Sequence, residues 1–183
     1  MTVKAQATPA QAAEAWRAMV SMVLARRGQP GSGAFRSDVR RGIYAHSQHW
    51  ALAHVAGYAT TPFELPPLLR AAAITAEHLR APQDNAERAR LGHALRELHR
   101  RRNGTPPNAV MNSISRRVTI LPSLPLEQAA QSLDSLVAFC AAERVPVNFY
   151  DLTKTLLRWG KGLSPASVAV RQAVITDFYS SSK

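Results

Sequence analysis

The feature that most constrains this chain is the spacing of its apolar residues, which recur every three to four positions in one segment after another, while strand-like alternation is almost absent. That repeat lays apolar side chains along one stripe of a helix, so the pattern dictates helices packed by one face. Thr8 followed by Pro9 reads as an N-cap with proline at the first helical position, and Trp16, Met19, Val20, Val23 and Leu24 continue the stripe as far as Gly28. After the glycine-rich GQPGSG (28–33), Phe35 and Val39 lie four apart, as do Arg36 and Arg40, which predicts a short helix with arginines along one side.

Residues 47–59 and 67–80 read as two further helices, and the proline-rich TTPFELPP between them is expected not to sustain one. A helix over about 86–102 has Leu91, Leu95 and Leu98 on its buried side, and NGTPP (103–107) is the strongest internal break. Past it, Val110, Ile114, Val118 and Leu121 repeat at helical spacing, followed by Leu126, Ala130, Leu133, Leu136, Val137 and Cys140. Residues 148–159 begin with Asn148 and Asp151 in a capping-box-like arrangement and end at Gly160. Ser164-Pro165 starts a last helix with Val168, Ile175 and Phe178 on its apolar side. The expected fold is all-α, a compact bundle of eight to nine helices. The break divides it into a basic N-terminal lobe (1–102) and a C-terminal lobe (103–183), standing apart or packing as one domain. With 46% hydrophobic residues in 183, the chain can bury a core without staples.

Charge narrows the function. Lys and Arg number 23 against 12 Asp and Glu, a net +11, and 19 of the 23 are arginine. A planar guanidinium fork bonds phosphate oxygens bidentately and stacks on bases, so the bias suits a polyanionic partner. Residues 1–117 hold 17 basic and 7 acidic side chains, whereas 118–183 hold 6 and 5. The excess is gathered in clusters: Arg26-Arg27, Arg36 with Arg40-Arg41, Arg100-Arg101-Arg102, and Arg116-Arg117. Only Phe35 and Tyr44 flank one of them as aromatics, which favours tracking of the phosphate backbone over base readout.

Catalytic patterns are missing. The sequence has no P-loop, dinucleotide fingerprint, H-E-x-x-H or G-x-S-x-G, and its acids are scattered singly. His46 and His49 at i,i+3 could share a helix face, but His54, five residues past His49, rotates away and no carboxylate lies nearby. No third ligand matches, so no metal, cofactor or small-molecule substrate is expected. Cys140, in LVAFCAAE, reads as a small buried hydrophobe. No apolar run approaches the ~20 residues that span a bilayer, and the N-terminus lacks a secretory core, so the expected location is cytoplasmic.

Several segments together resemble a known family. Trp16, GAFRSDVRRG (33–42), LGHALREL (91–98), SISRRVTIL (113–121), VPVNFYDLTKTLLRWG (145–160) and DFY (177–179) occur in order along nearly the whole chain. In that order they resemble the small subunit (CasB family) of the type I-E CRISPR surveillance complex, Cascade. Two positions depart from the family's usual pattern: Ser115 where an acid precedes the paired arginines, and Val174 where an aromatic often stands. The resemblance implies a helical subunit with no catalytic centre, lying beside the crRNA-bearing backbone subunits, the large subunit and a second copy of itself. It further implies basic faces that hold the target strand and the displaced single strand of the R-loop. Carried over by motif, Arg36, Arg40, Arg41, Arg116 and Arg117 are the expected contacts; Arg26, Arg27, Arg100, Arg101 and Arg102 are expected on charge alone. The alternative is a structural scaffold whose arginines bind acidic protein neighbours.

Overall fold

Caps and breakers in the sequence set the helix boundaries. The computed structural model describes residues 9–86, 88–109 and 111–180, and Thr8 and Val110 fall outside them. Among the described residues the α-helices are α1 (Pro9–Arg27), α2 (Gly33–Arg40), α3 (His49–Val55), α4 (Leu65–Glu77), α5 (Leu91–Asn103), α6 (Ser113–Ile120), α7 (Leu126–Ala142), α8 (Phe149–Trp159) and α9 (Pro165–Tyr179). Extended structure among these residues amounts to one isolated bridge between Gln83 and Val147. The expected all-α bundle is the fold observed.

Local side-chain caps account for the starts of α6, α8 and α9. The Asn148 side chain accepts from the N–H groups of Tyr150 and Asp151, both at 3.0 Å, and Ser164 accepts from Ser167 at 3.3 Å. At α6 the box is complete: Asn112 accepts from Ile114 and Ser115, both at 2.9 Å, and the Ser115 hydroxyl accepts from the Asn112 N–H at 3.1 Å. A cap of this kind stabilises a helix by about 1 kcal/mol. Ser115 thus serves the helix start. α5 stops where Gly104 turns left-handed at φ 66° and returns its N–H to the Arg100 carbonyl at 2.8 Å.

Three expectations shift. α4 begins at Leu65, two residues before the expected start, with Pro66 and Pro67 in its first turn after a 3₁₀ turn at Pro62–Glu64. First-turn N–H groups have no intrahelical acceptor, so prolines there cost nothing. α5 begins at Leu91, and not near 86, because Arg90 is extended (φ −108°, ψ 152°). The buried stripe of α9 is Ser167, Arg171, Val174 and Phe178, while Val168 is 38% exposed.

α4 is the centre of the packing. Every residue from Pro67 to Ala76 is buried, and the helix contacts α1, α2, α7 and α8. α5 lies along α9, which in turn packs on α8. The α5–α9 approach requires Gly92: a Cβ there would stand 2.5 Å from the Val174 carbonyl oxygen and 2.6 Å from the Asp177 Cβ. Buried apolar residues from Met19 to Phe178, with Cys140, Leu156 and Trp159 among them, form one contiguous cluster. Among the described residues no helix is long and apolar enough to cross a membrane.

Three arginines serve this interior. Arg70 donates to the Gly42 carbonyl at 2.6 Å and the Gln48 side chain at 2.9 Å. Arg171 lies over the Trp159 ring and donates to the carbonyls of Pro122 and Gly162 at 3.0 and 3.1 Å. Arg27, the third, is described below. Carbonyls at helix ends and turns lack backbone partners, and a guanidinium with five donors satisfies several at once.

Candidate nucleic-acid interface

Arg27 is the one expected contact that the fold removes from the surface. It is 8% exposed, and its Nη1 donates to the carbonyls of Thr75 at 2.6 Å and His78 at 3.2 Å, at the end of α4. The guanidinium packs over the Phe149 ring, and burial lowers its pKa from the ordinary guanidinium value. A sequence signal for this burial exists, since Arg27 continues the apolar stripe of Val20 and Val23.

Arg26, Arg36, Arg40 and Arg41 gather around α2. Arg26 is exposed and lies over the Phe35 ring at 4.5 Å, which fastens the end of α1 to α2. Arg36 is half-buried, and its Nε is enclosed with no hydrogen-bond partner among the described residues. Arg40 reaches Glu77 at 3.3 Å, an exposed pair that contributes little to folding. Arg41 is exposed over the ring of Trp50 at 4.7 Å.

Arg100, Arg101 and Arg102 project from the last turn of α5 but meet acids. Glu97 accepts from Arg100 at 2.7 Å and Arg101 at 2.8 Å, and these hydrogen bonds hold its carboxyl down to about 2. Arg101 also donates to the Glu143 carbonyl at 2.8 Å, and Arg102 bonds the Glu143 carboxylate at 3.0 Å while lying over Phe139. Much of this cluster's charge is compensated within the fold.

Arg116 and Arg117 differ from that triplet. Ile114 and Val118 bury the inner face of α6 against α5 and α9, leaving both arginines exposed. Neither forms an ion pair among the described residues. α2 packs on α3 and α4, so the fold keeps the α2 group and the α6 pair on different neighbours.

Sequence reasoning passed over two features. Trp50 is 50% exposed beside Arg41; the only hint was its place next to Ala51 and Val55, which take the buried face of α3. A cleft of about 320 Å³ between α5, α8 and α9 sets Arg90, Lys154 and Arg158 around Asp151 and Asp177. Lys154 and Arg158 share a face at i,i+4, but no local signal brings Arg90 to them.

The histidines are occupied singly: His54 faces Asp38 at 3.5 Å and His46 stacks on Tyr44. Among the described residues no three His, Cys, Asp or Glu side chains converge. Burial pushes the Cys140 thiol up to about 12, far from a reactive thiolate.

Fold and surface together define an all-helical protein whose uncompensated cations stand on separate helices around one apolar core. The sequence profile of CRISPR-associated protein Cse2 matches residues 3–179, and the chain belongs to that family. Its fold is shared with TTHB189, a CRISPR-associated protein of the Cse2 family from Thermus thermophilus, at 20% identity and a TM-score of 0.65 over 90% of this chain and 97% of that one. CasB from Thermus thermophilus aligns with the same figures, 20%, 0.65, 90% and 97%. A chain of a CRISPR RNA-guided surveillance complex aligns at 21% identity and a TM-score of 0.66 over 91% of this chain and 92% of that one. No curated protein matches the chain.

Proposed function

We propose that the protein is the non-catalytic small subunit of a type I-E Cascade complex in the cytoplasm, holding the guide-paired target strand and the displaced strand through phosphate contacts. The observation that carries this reading is the state of Arg116 and Arg117, adjacent and exposed on α6 with no acidic partner among the described residues, in a chain of net charge +11. Uncompensated surface guanidinium does little for folding, so its density acts on a partner. Arg26, Arg36 and Arg41 supply a second basic group around α2, to which Arg40 adds less because it is paired with Glu77. Arg100, Arg101 and Arg102 contribute less, because Glu97 and Glu143 already engage them. Guide pairing provides sequence recognition, which leaves the subunit to supply charge and shape. Its neighbours in this reading are crRNA, target DNA, the large and backbone subunits, and a second copy of itself.

The test is charge reversal in the assembled complex. The double variant Arg116→Glu, Arg117→Glu should assemble normally by size-exclusion chromatography and bind target DNA on the order of tenfold more weakly. Loss of the subunit from the complex would support the scaffold alternative, in which these arginines bind acidic protein neighbours.

A further inference from the structure

We propose that the turn joining α2 to α3 is a base-stacking platform, where an unpaired nucleobase stacks on the Trp50–Arg41 pair and Arg41 takes the adjoining phosphate. This inference rests on the reading of the protein as a nucleic-acid-holding subunit, and it names the chemistry one face recognises: single-stranded nucleic acid through its bases.

Three observations converge. First, flat groups are offered to solvent together: Trp50 is 50% exposed under the Arg41 guanidinium, and Tyr44 is 44% exposed and stacked on His46 with ring centroids 5.5 Å apart. Such surfaces accept any base, since every base has a π-face.

Second, the turn is held rigidly from below. Buried Arg70 bonds the Gly42 carbonyl and the Gln48 side chain, one on each side of the turn. Ser47 donates its hydroxyl to the Arg41 carbonyl at 2.8 Å and its N–H to the Tyr44 carbonyl, while Trp50 donates its N–H to the Ser47 carbonyl. Glu127, from α7, accepts the Ala45 N–H at 3.1 Å. Exposed aromatics fixed in place lose little entropy when a ligand arrives.

Third, charge favours an anion at Arg41. A cleft of about 340 Å³ beside it is lined by Arg40, Arg41, Tyr44 and Ser47 with Glu77 and Asp134. Both acids are engaged, Glu77 by Arg40 and Asp134 by His78 at 2.7 Å. Arg41 has no acidic partner among the described residues.

The experiment titrates the full-length protein at low salt with oligothymidylate and with an abasic oligomer of equal length, which has the phosphates without the bases. Oligothymidylate should bind on the order of tenfold more tightly. Trp50→Ala should bring it to the abasic level, and Trp50→Phe should restore part of the difference. Equal binding of the two oligomers by the unaltered protein, or a preference that survives Trp50→Ala, overturns the platform. If both bind equally with a normal salt dependence, only the platform fails. Binding of neither overturns the nucleic-acid reading as well. Detachment of Trp50→Ala from the complex with the base preference intact would assign Trp50 to a protein contact and overturn the proposal.

Discussion

The carboxylate of Asp151 on α8 accepts the backbone N–H of Leu91, the first residue of α5, at 2.8 Å across sixty positions of sequence. Asp151 therefore caps a helix other than its own, while Asn148 caps α8. Asp151→Ala should destabilise the protein by about 1 kcal/mol in urea denaturation, by orphaning that N–H. Burial raises the Asp151 pKa, so its ionised form is disfavoured in the fold, and stability from this group declines as pH rises through the folded pKa. Asp151→Asn keeps an acceptor and should remove that dependence.

Gly92 sets how closely α5 approaches α9. Gly92→Ala places a methyl against the backbone of Val174 and should cost about 1–3 kcal/mol of stability. Gly57, whose Cβ would meet nothing within 4 Å, is the matched control and should tolerate alanine. Comparable losses for the two would contradict the packing account.

Glu97 restrains two arginines at the end of α5. Its carboxyl is held down to about 2, so the pairing is present above the ordinary carboxylate range and lost as pH falls through about 2. Glu97→Gln frees Arg100 and Arg101 for an anion and should strengthen single-stranded DNA binding several-fold at low salt. Unchanged binding would show that this cluster faces no nucleic acid.

Cys140 has a thiol pushed up to about 12 by burial. At pH 8 a thiol reagent should react with the folded protein no faster than the protein opens, and rapidly in denaturant. Fast labelling of the native state would contradict the packing of α7.

Legibility in the sequence followed the range of the interactions. Asn148 and the Ser164-Pro165 pair announce their helices because a cap acts within three residues. The start of α5 could not be read, since its cap comes from Asp151. The Glu97–Arg100 and Glu97–Arg101 pairs lie at i,i+3 and i,i+4 and were open to local reading, whereas Arg102–Glu143 required the packing of α5 on α7. Arg27 is a cation on an apolar stripe, and its burial follows the stripe and not the charge. The platform at Trp50 was hidden for the converse reason: exposure of a tryptophan depends on which face of a short helix the core takes.

The central claim is that uncompensated arginines hold nucleic acid through phosphate. It is tested most directly by the salt dependence of target-strand binding, compared between complexes carrying the unaltered subunit and the Arg116→Glu, Arg117→Glu subunit. Log affinity should fall linearly with log salt, and the slope should be shallower in the variant by ~0.7 for each single-strand phosphate that it no longer neutralises. Identical slopes at identical affinity would contradict the account.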